Sequence, residues 1–285
     1  MAATPNVRLS LPGRPENVLV VRQALSGLAR YLALDAIETN DLNTAVTEAC
    51  NNVVMHAYDG DEGPLEVEVQ IDADALAVVV RDRGVGIDAH ERESLASDGG
   101  EAGPGGGMGL AVIDALARAV EFTVPAGGGT EVRMCFPAPA RVTLPAVADA
   151  AGELEAQVLP QAASAVELCV VPGALAPAVL PRVLSALAVR AHFTTDRISD
   201  VQIVADVLAS NAGDSLPGDT LAVGVSVAPR SLELRIGPLE TGRGESLMAA
   251  AADGLAPVVE RLTDSTRVAV GDAGETLELR LIDQR

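Results

Sequence analysis

The chain has 285 residues, 48% of them hydrophobic, and its 20 basic and 40 acidic side chains give a formal charge of −20. That hydrophobic content is typical of a packed rather than a disordered chain. All 20 basic residues are arginine, which excludes a P-loop or Schiff-base enzyme because both need a lysine, and the acidity argues against nucleic acid or an anionic membrane as a partner.

The cysteines and histidines give no sign of a disulfide framework or a zinc site. Cys50, Cys135 and Cys169 are odd in number and far apart, and no pair among the three histidines has ligand spacing. The first residues lack a basic region followed by an apolar core, and no apolar run reaches about 18 residues. We therefore expect a cytoplasmic protein without a signal peptide or a membrane span.

Apolar periodicity predicts the order β-α-α-β-β-loop-α-β-β for the first half of the chain. The predicted elements cover residues 7–11, 15–32, 41–57, 65–71, 75–82, 84–109, 109–120, 120–124 and 130–136. This order favours an α+β sandwich, in which a mixed sheet carries its helices on one face.

The second half of the chain repeats the first. An Ala- and Pro-rich stretch predicts a linker over 138–163. Beyond it, LSALA echoes LSGLA, DVQIVADVLASN aligns without gaps on DLNTAVTEACNN, and TLELRLI (276–282) matches TEVRMCF (130–136). Because the elements recur in the same order, we predict an internal duplication with domains at 1–137 and 164–285.

Three polar patterns in the first copy are candidates for chemistry. Glu48 and Asn52 are four residues apart on one helix face, so they can aim a carboxylate and an amide oxygen into one cleft, as a base and as a ligand for a hard cation. The alternative is an ordinary solvated helix flank. Asp82, in the run RDRGVG at a strand end, can accept a hydrogen bond from an exocyclic amine, although such a run can also be a simple turn.

The third pattern is a cluster of seven glycines in residues 99–109, running into a helix. Backbone N–H groups in such a loop can wrap phosphates, and a helix N-terminus favours anions. The spacing differs from the dinucleotide fingerprint, and a flexible linker is the alternative interpretation.

Together and in this order, the three patterns resemble the Bergerat-fold (GHKL) ATP-binding domain. The runs TEACNNVVMHAY, VRDRGVGID, GGMGLAVIDALA and GGGTEVRM are closer still to the anti-sigma-factor serine kinases. The resemblance covers about residues 6–137. Together with the internal repeat, it implies two tandem Bergerat-type sandwiches, the second degenerate, with ATP and Mg²⁺ as cofactors.

The resemblance also implies roles for individual residues. Glu48 would be the general base, Asn52 would hold Mg²⁺ on the phosphates, and Asp82 would bind the adenine amine. Six further residues would contribute to nucleotide binding: Gly84 and Gly86 by leaving room for the base, Thr130 near the adenine, and Gly105, Gly107 and Gly109 in the lid over the phosphates. His56 would either line the nucleotide pocket or close the helix.

The second copy departs from this pattern. Glu48 aligns with Val207, Asp82 with Pro238 and Asn52 with Asn211, and the glycine cluster is missing. A valine cannot act as a base and a proline cannot accept the adenine amine, so we predict that this copy binds no nucleotide. Members of the resembled family commonly form homodimers. The second copy could therefore supply the other half of a dimer within one chain, as an intramolecular pseudo-dimer, or it could bind a partner.

The main hypothesis is a serine protein kinase that phosphorylates a STAS-type anti-anti-sigma protein and sequesters a sigma factor. A non-catalytic, nucleotide-binding module that sequesters a partner is the alternative. Two further hypotheses are a fragment of a sensor histidine kinase and a gyrase- or mismatch-repair-type ATPase. The first would need a helix with a phosphoacceptor histidine and the second a transducer domain with a lysine, and this sequence shows neither.

Overall fold

The computed structural model divides the chain into two compact units. The N-terminal unit is Ser10–Thr143, and the C-terminal unit is Leu144–Arg285 together with Met1–Leu9. The structure describes residues 6–72, 75–85, 107–137, 165–170, 175–249, 257–271 and 273–284. The predicted linker, 138–163, lies outside these residues, and the predicted domain boundaries stay a prediction.

The described part of the N-terminal unit combines helices with an antiparallel sheet. Its elements are β1 (Val7–Pro12, which crosses the division between the units), α1 (Pro15–Tyr31), α2 (Ala36–His56), β2 (Pro64–Ile71), β3 (Ala75–Arg81), α3 (Gly107–Leu116), β4 (Ala119–Thr123) and β5 (Glu131–Pro137). The strands within this unit lie in the order β4-β5-β3-β2, and these neighbours pair antiparallel. The predicted α+β fold is confirmed.

Helix α2 begins five residues before the predicted start. Asp35 caps it by accepting hydrogen bonds from the N–H groups of Ile37 and Glu38, and the Glu38 side chain returns a bond to the Asp35 N–H. Such a capping box contributes about 1 kcal/mol to helix stability. The prediction was late because it followed the apolar stripe, which starts only at Leu42.

The core of the N-terminal unit lies between α2 and the sheet. Helix α2 packs against β2, β3 and β5 on one side and against α1 and α3 on others. Alternate strand residues are buried below it, namely Leu65, Val67, Val69, Leu76, Val78, Val80, Val132, Met134 and Phe136. The sheet therefore supports α2, the helix that carries Glu48 and Asn52.

The described part of the C-terminal unit has a similar order of elements, with two short helices where the described part of the N-terminal unit has α3. Its elements are β6 (Val166–Val170), α4 (Ala176–Arg190), α5 (Thr195–Asn211), β7 (Leu221–Ala228), β8 (Ser231–Leu239), α6 (Arg243–Met248), α7 (Val258–Leu262), β9 (Ser265–Gly271) and β10 (Gly274–Ile282). Its strands lie in the order β6-β7-β8-β10-β9, again with antiparallel neighbours.

The turn between the first two helices has the same backbone conformation in both units. Ala33 and His192 both have a positive φ, 54° and 59°, three residues before α2 and α5 begin. The surrounding N–H groups also bond the same relative carbonyls, as in Leu34 to Ala29 and Phe193 to Ala188. This equivalence supports the ungapped alignment that places Val207 on Glu48.

The strand register corrects one part of the predicted repeat. Val132 pairs with Val80 in the N-terminal unit, and Leu277 pairs with Ile236 in the C-terminal unit. Counting back two residues along β5 and β10, across a register shift between Leu277 and Glu275, Thr130 corresponds to Glu275 rather than to Thr276. The one-residue difference matters because it decides which face of the strand each side chain occupies.

No helix among the described residues combines the length and the apolar character that crossing a membrane requires.

Candidate nucleotide-binding site

Glu48 and Asn52 meet the start of α3. They lie one turn apart on α2, both half-buried, and α2 packs against α3. A Cβ added to Gly109 would lie 3.3 Å from Glu48 Oε2 and 3.5 Å from Asn52 Oδ1. The absence of a side chain at Gly109 therefore leaves a carboxylate and an amide oxygen facing the first turn of a helix, where N–H groups favour an anion.

Asp82 forms a second polar group at the end of β3, with only 6% of its surface exposed. Its Oδ1 accepts hydrogen bonds from the N–H groups of Gly84 (2.8 Å) and Thr130 (3.2 Å). Its own N–H donates to the Thr130 carbonyl at 3.0 Å. Among the described residues no hydrogen bond to Oδ2 is seen, so the second oxygen of this largely buried carboxylate is available to a ligand amine.

Two glycines are required around Asp82. A Cβ on Gly84 would lie 1.8 Å from the Ala57 carbonyl oxygen, and the Val85 N–H bonds that same oxygen at 3.0 Å. Gly129 has φ +83°, and a Cβ there would lie 2.1 Å from the Asp82 carbonyl oxygen. Backbone therefore packs directly on backbone here, and no side chain lies between these segments.

Ion pairs fix the strand ends that carry the site. Arg81 directly opposes Glu131 in the β3–β5 ladder and forms a salt bridge with it. It also pairs with the buried Glu68 of β2 at 2.9 Å. Arg81 precedes Asp82 and Glu131 follows Thr130. These ion pairs therefore fix the two strands next to the contact between Asp82 and Thr130.

The other predicted residues divide into three groups. Thr130 is buried beside Asp82, and Gly107 begins α3. His56 is exposed at the last residue of α2, one turn beyond Asn52. Gly86 and Gly105 lie outside the described residues, so their predicted places in the site stay predictions.

Sequence reasoning missed two residues at this site. Gly129 was part of a turn without an assigned role, and Tyr58 ended the run TEACNNVVMHAY without one. The Tyr58 hydroxyl accepts the Arg83 N–H at 2.9 Å, next to Asp82. The sequence signal for Tyr58 was its position two residues after the helix, but its contact is to a residue 25 positions away.

The matching positions of the C-terminal unit look different. Val207, in place of Glu48, is buried, and the Asn211 amide donates to the Val207 carbonyl of its own helix at 2.7 Å. Pro238 stands in place of Asp82. Glu275, in place of Thr130, is buried, and its two oxygens accept the N–H groups of Gly242 (2.8 Å) and Gly244 (2.9 Å). Those bonds hold the pKa of the Glu275 carboxyl below its usual range.

The N-terminal site fits a hard divalent cation held jointly with phosphate. Asn52 Oδ1 is an oxygen donor of the kind Mg²⁺ prefers, and it lies beside the space left by Gly109. Among the described residues no cluster of three or more His, Cys, Asp or Glu side chains could hold a metal alone. Phosphate oxygens would therefore have to complete the coordination.

Known proteins match this half of the chain. The family described as histidine kinase-like ATPase domain matches residues 11–136. Serine-protein kinase RsbW of Bacillus pumilus is 32% identical over 144 residues, which cover 45% of this chain and 83% of that protein. RsbW of Bacillus velezensis is 33% identical over 137 residues, covering 45% of this chain and 82% of its own length.

A solved structure of the mycobacterial sensor histidine kinase MprB is 23% identical, and the match covers 45% of this chain and 96% of that one. Its TM-score of 0.31 is too low to support an argument. The RsbW relatives match this chain over most of their own length. The chain belongs to the RsbW family of anti-sigma-factor serine-protein kinases, a membership carried by its N-terminal half.

Proposed function

We propose that the N-terminal unit transfers the γ-phosphoryl group of ATP to a serine of a STAS-type anti-anti-sigma protein, and that the chain sequesters a sigma factor. The observation that carries the proposal is the meeting of Glu48, Asn52 and Gly109 at the start of α3. This arrangement offers a base, a cation ligand and an anion-binding helix end within one small space.

Asn52 would bind Mg²⁺ together with the phosphates, because its Oδ1 faces the space left by Gly109. When bound, the cation would neutralise charge on the β- and γ-phosphate oxygens. The N–H groups in the first turn of α3 would bind phosphate oxygens from the other side. Phosphoryl transfer depends mainly on such positioning and charge neutralisation, so a site without lysine is chemically sufficient.

Glu48 would act on the incoming serine. Its carboxylate would take the hydroxyl proton while the serine oxygen bonds to the γ-phosphorus and the bond to the β–γ bridging oxygen breaks, which leaves ADP and phosphoserine. Asp82 would bind the adenine amine through Oδ2, since Oδ1 already accepts two N–H groups. Each group therefore has one role, at opposite ends of the nucleotide.

The serine-kinase part of the proposal is supported by the relatives' name, serine-protein kinase, and by the presence of Glu48. The STAS-type partner and the sigma factor are what the resemblance of the sequence motifs to anti-sigma-factor kinases implies. A chain that sequesters a sigma factor would act in the cytoplasm. The test is to incubate the chain with Mg-ATP and each STAS-domain protein of the host, and to measure intact mass. One added phosphate on one candidate supports the proposal, whereas ATP binding without phosphate on any candidate would favour a non-catalytic sequestering module.

We propose further that the C-terminal unit is a degenerate second copy that binds no nucleotide. Both Glu275 oxygens are used by backbone N–H groups, whereas Asp82 keeps one oxygen available. In the C-terminal unit the buried carboxylate is therefore on β10 rather than at the end of β8, and it binds the backbone of the segment after β8. Val207 in place of Glu48 removes the base as well.

Replacing Gly109 with alanine is expected to weaken Mg-ADP binding roughly threefold to tenfold without lowering the melting temperature. The added Cβ would crowd Glu48 and Asn52, whereas alanine in a helix is about 1 kcal/mol more favourable than glycine. Calorimetry and thermal melting measure the two effects. Gly127→Ala is the matched control, since a Cβ there meets nothing within 4 Å. Equal affinity for Gly109→Ala and wild type would contradict the placement of the phosphates.

A further inference from the structure

Tyr58 joins three segments around the proposed nucleotide site. It lies two residues beyond the end of α2 and is partly buried. Its hydroxyl donates to the Pro64 carbonyl at 2.5 Å and accepts the Arg83 N–H at 2.9 Å. One phenol oxygen therefore connects the end of α2, the start of β2 and the residue after Asp82.

The ring of Tyr58 is also fixed in place, by packing against the backbone. A Cβ on Gly63 would lie 2.1 Å from the ring, so the ring packs directly on the backbone of Gly63. The Gly63 carbonyl in turn accepts the Gly13 N–H at 2.7 Å. Burial raises the pKa of the Tyr58 phenol, so the hydroxyl keeps its proton and can donate throughout the neutral range.

Ala57 and Tyr58 bind the segment after β3 by two hydrogen bonds. The Tyr58 hydroxyl takes the Arg83 N–H, and the Ala57 carbonyl takes the Val85 N–H at 3.0 Å. Gly84, between them, donates to Asp82 Oδ1. These hydrogen bonds fix the position of the Asp82 carboxylate relative to the end of α2, the helix that also carries Asn52.

We infer that Tyr58 is a positioning residue that sets Asp82, at the adenine end of the site, relative to Glu48 and Asn52 at the phosphate end. This inference rests on the proposed nucleotide site. A nucleotide bound at both ends spans a fixed length, so a shift of Asp82 relative to α2 would weaken the adenine contact while the phosphate end still binds.

The first test is Tyr58→Phe, which keeps the ring and removes both hydrogen bonds. We expect the Kd for ADP and the KM for ATP to rise roughly fivefold to tenfold, with kcat changed less than about twofold. Tyr31→Phe is the matched control, because Tyr31 is exposed at the end of α1, and we expect it to match wild type. A lower melting temperature with unchanged KM would show a merely structural role and overturn the inference.

A double-mutant cycle with Asp82→Asn tests whether Tyr58 acts through Asp82. If it does, Tyr58→Phe should weaken ADP binding less than about twofold once Asp82 has been replaced. Fully additive losses would contradict the inference. Failure of the wild-type chain to bind ADP would instead contradict the proposed function, so the two failures can be told apart.

Discussion

Replacing Glu48 with glutamine is expected to slow phosphoryl transfer by about 100- to 10,000-fold, the usual contribution of a general base. The amide keeps the shape of the side chain and its place beside Gly109, but it cannot take the serine proton. Affinity for Mg-ADP should change much less, because Asn52 and the helix end remain. Single-turnover transfer from ATP and calorimetry with ADP measure the two quantities.

The control for this variant is Glu16→Gln, which neutralises a carboxylate exposed in the first turn of α1. It should transfer phosphate at the wild-type rate. A Glu48→Gln rate within tenfold of wild type would remove Glu48 from the role of base, and a large loss of ADP affinity would make it a cation ligand instead.

Replacing Asp82 with asparagine is expected to weaken ADP binding by about 10- to 100-fold, the range for losing a hydrogen bond to a charged group. The asparagine oxygen can still accept the N–H groups of Gly84 and Thr130. Its amide nitrogen then takes the place of Oδ2. Because both this amide and the adenine amine are hydrogen-bond donors, the contact with the base is lost. Calorimetry checks the affinity, and Asp72→Asn, exposed just beyond the other end of β2, serves as the matched control.

Inosine nucleotides sharpen the Asp82 test, because they carry an oxygen in place of the adenine amine. Wild type should bind ADP more tightly than IDP, since Oδ2 can accept from an amine and is repelled by an oxygen. Asp82→Asn should reverse this preference, because its amide can donate to that oxygen. An unchanged preference for ADP would mean that another group recognises the base.

The sequence was informative about elements because their signals are local. Alternation and helical spacing located the strands and helices of the N-terminal unit. Asp35 and Glu38 have the spacing of a capping box, but the apolar stripe of α2 begins only at Leu42. The repeat was aligned one residue off at β10, because β-branched and leucine residues fit neighbouring registers and only the pairing of Leu277 with Ile236 decides.

The candidate site was less predictable where it depends on distant contacts. The shared face of Glu48 and Asn52 follows from their spacing, and the resemblance added Gly109. Asp82 meets Thr130 across 48 residues, however, and Tyr58 meets Arg83 across 25. Nothing in the composition of either segment specifies which backbone N–H a carboxylate or phenol will bind, so these contacts came from the tertiary structure.

Calorimetric titration of the full chain with ADP and Mg²⁺ tests most directly whether nucleotide is bound by the N-terminal unit alone. The predicted result is one site per chain, which Asp82→Asn weakens and Glu275→Gln leaves unchanged. Two sites per chain, or a single site that Glu275→Gln abolishes and Asp82→Asn spares, would contradict the assignment.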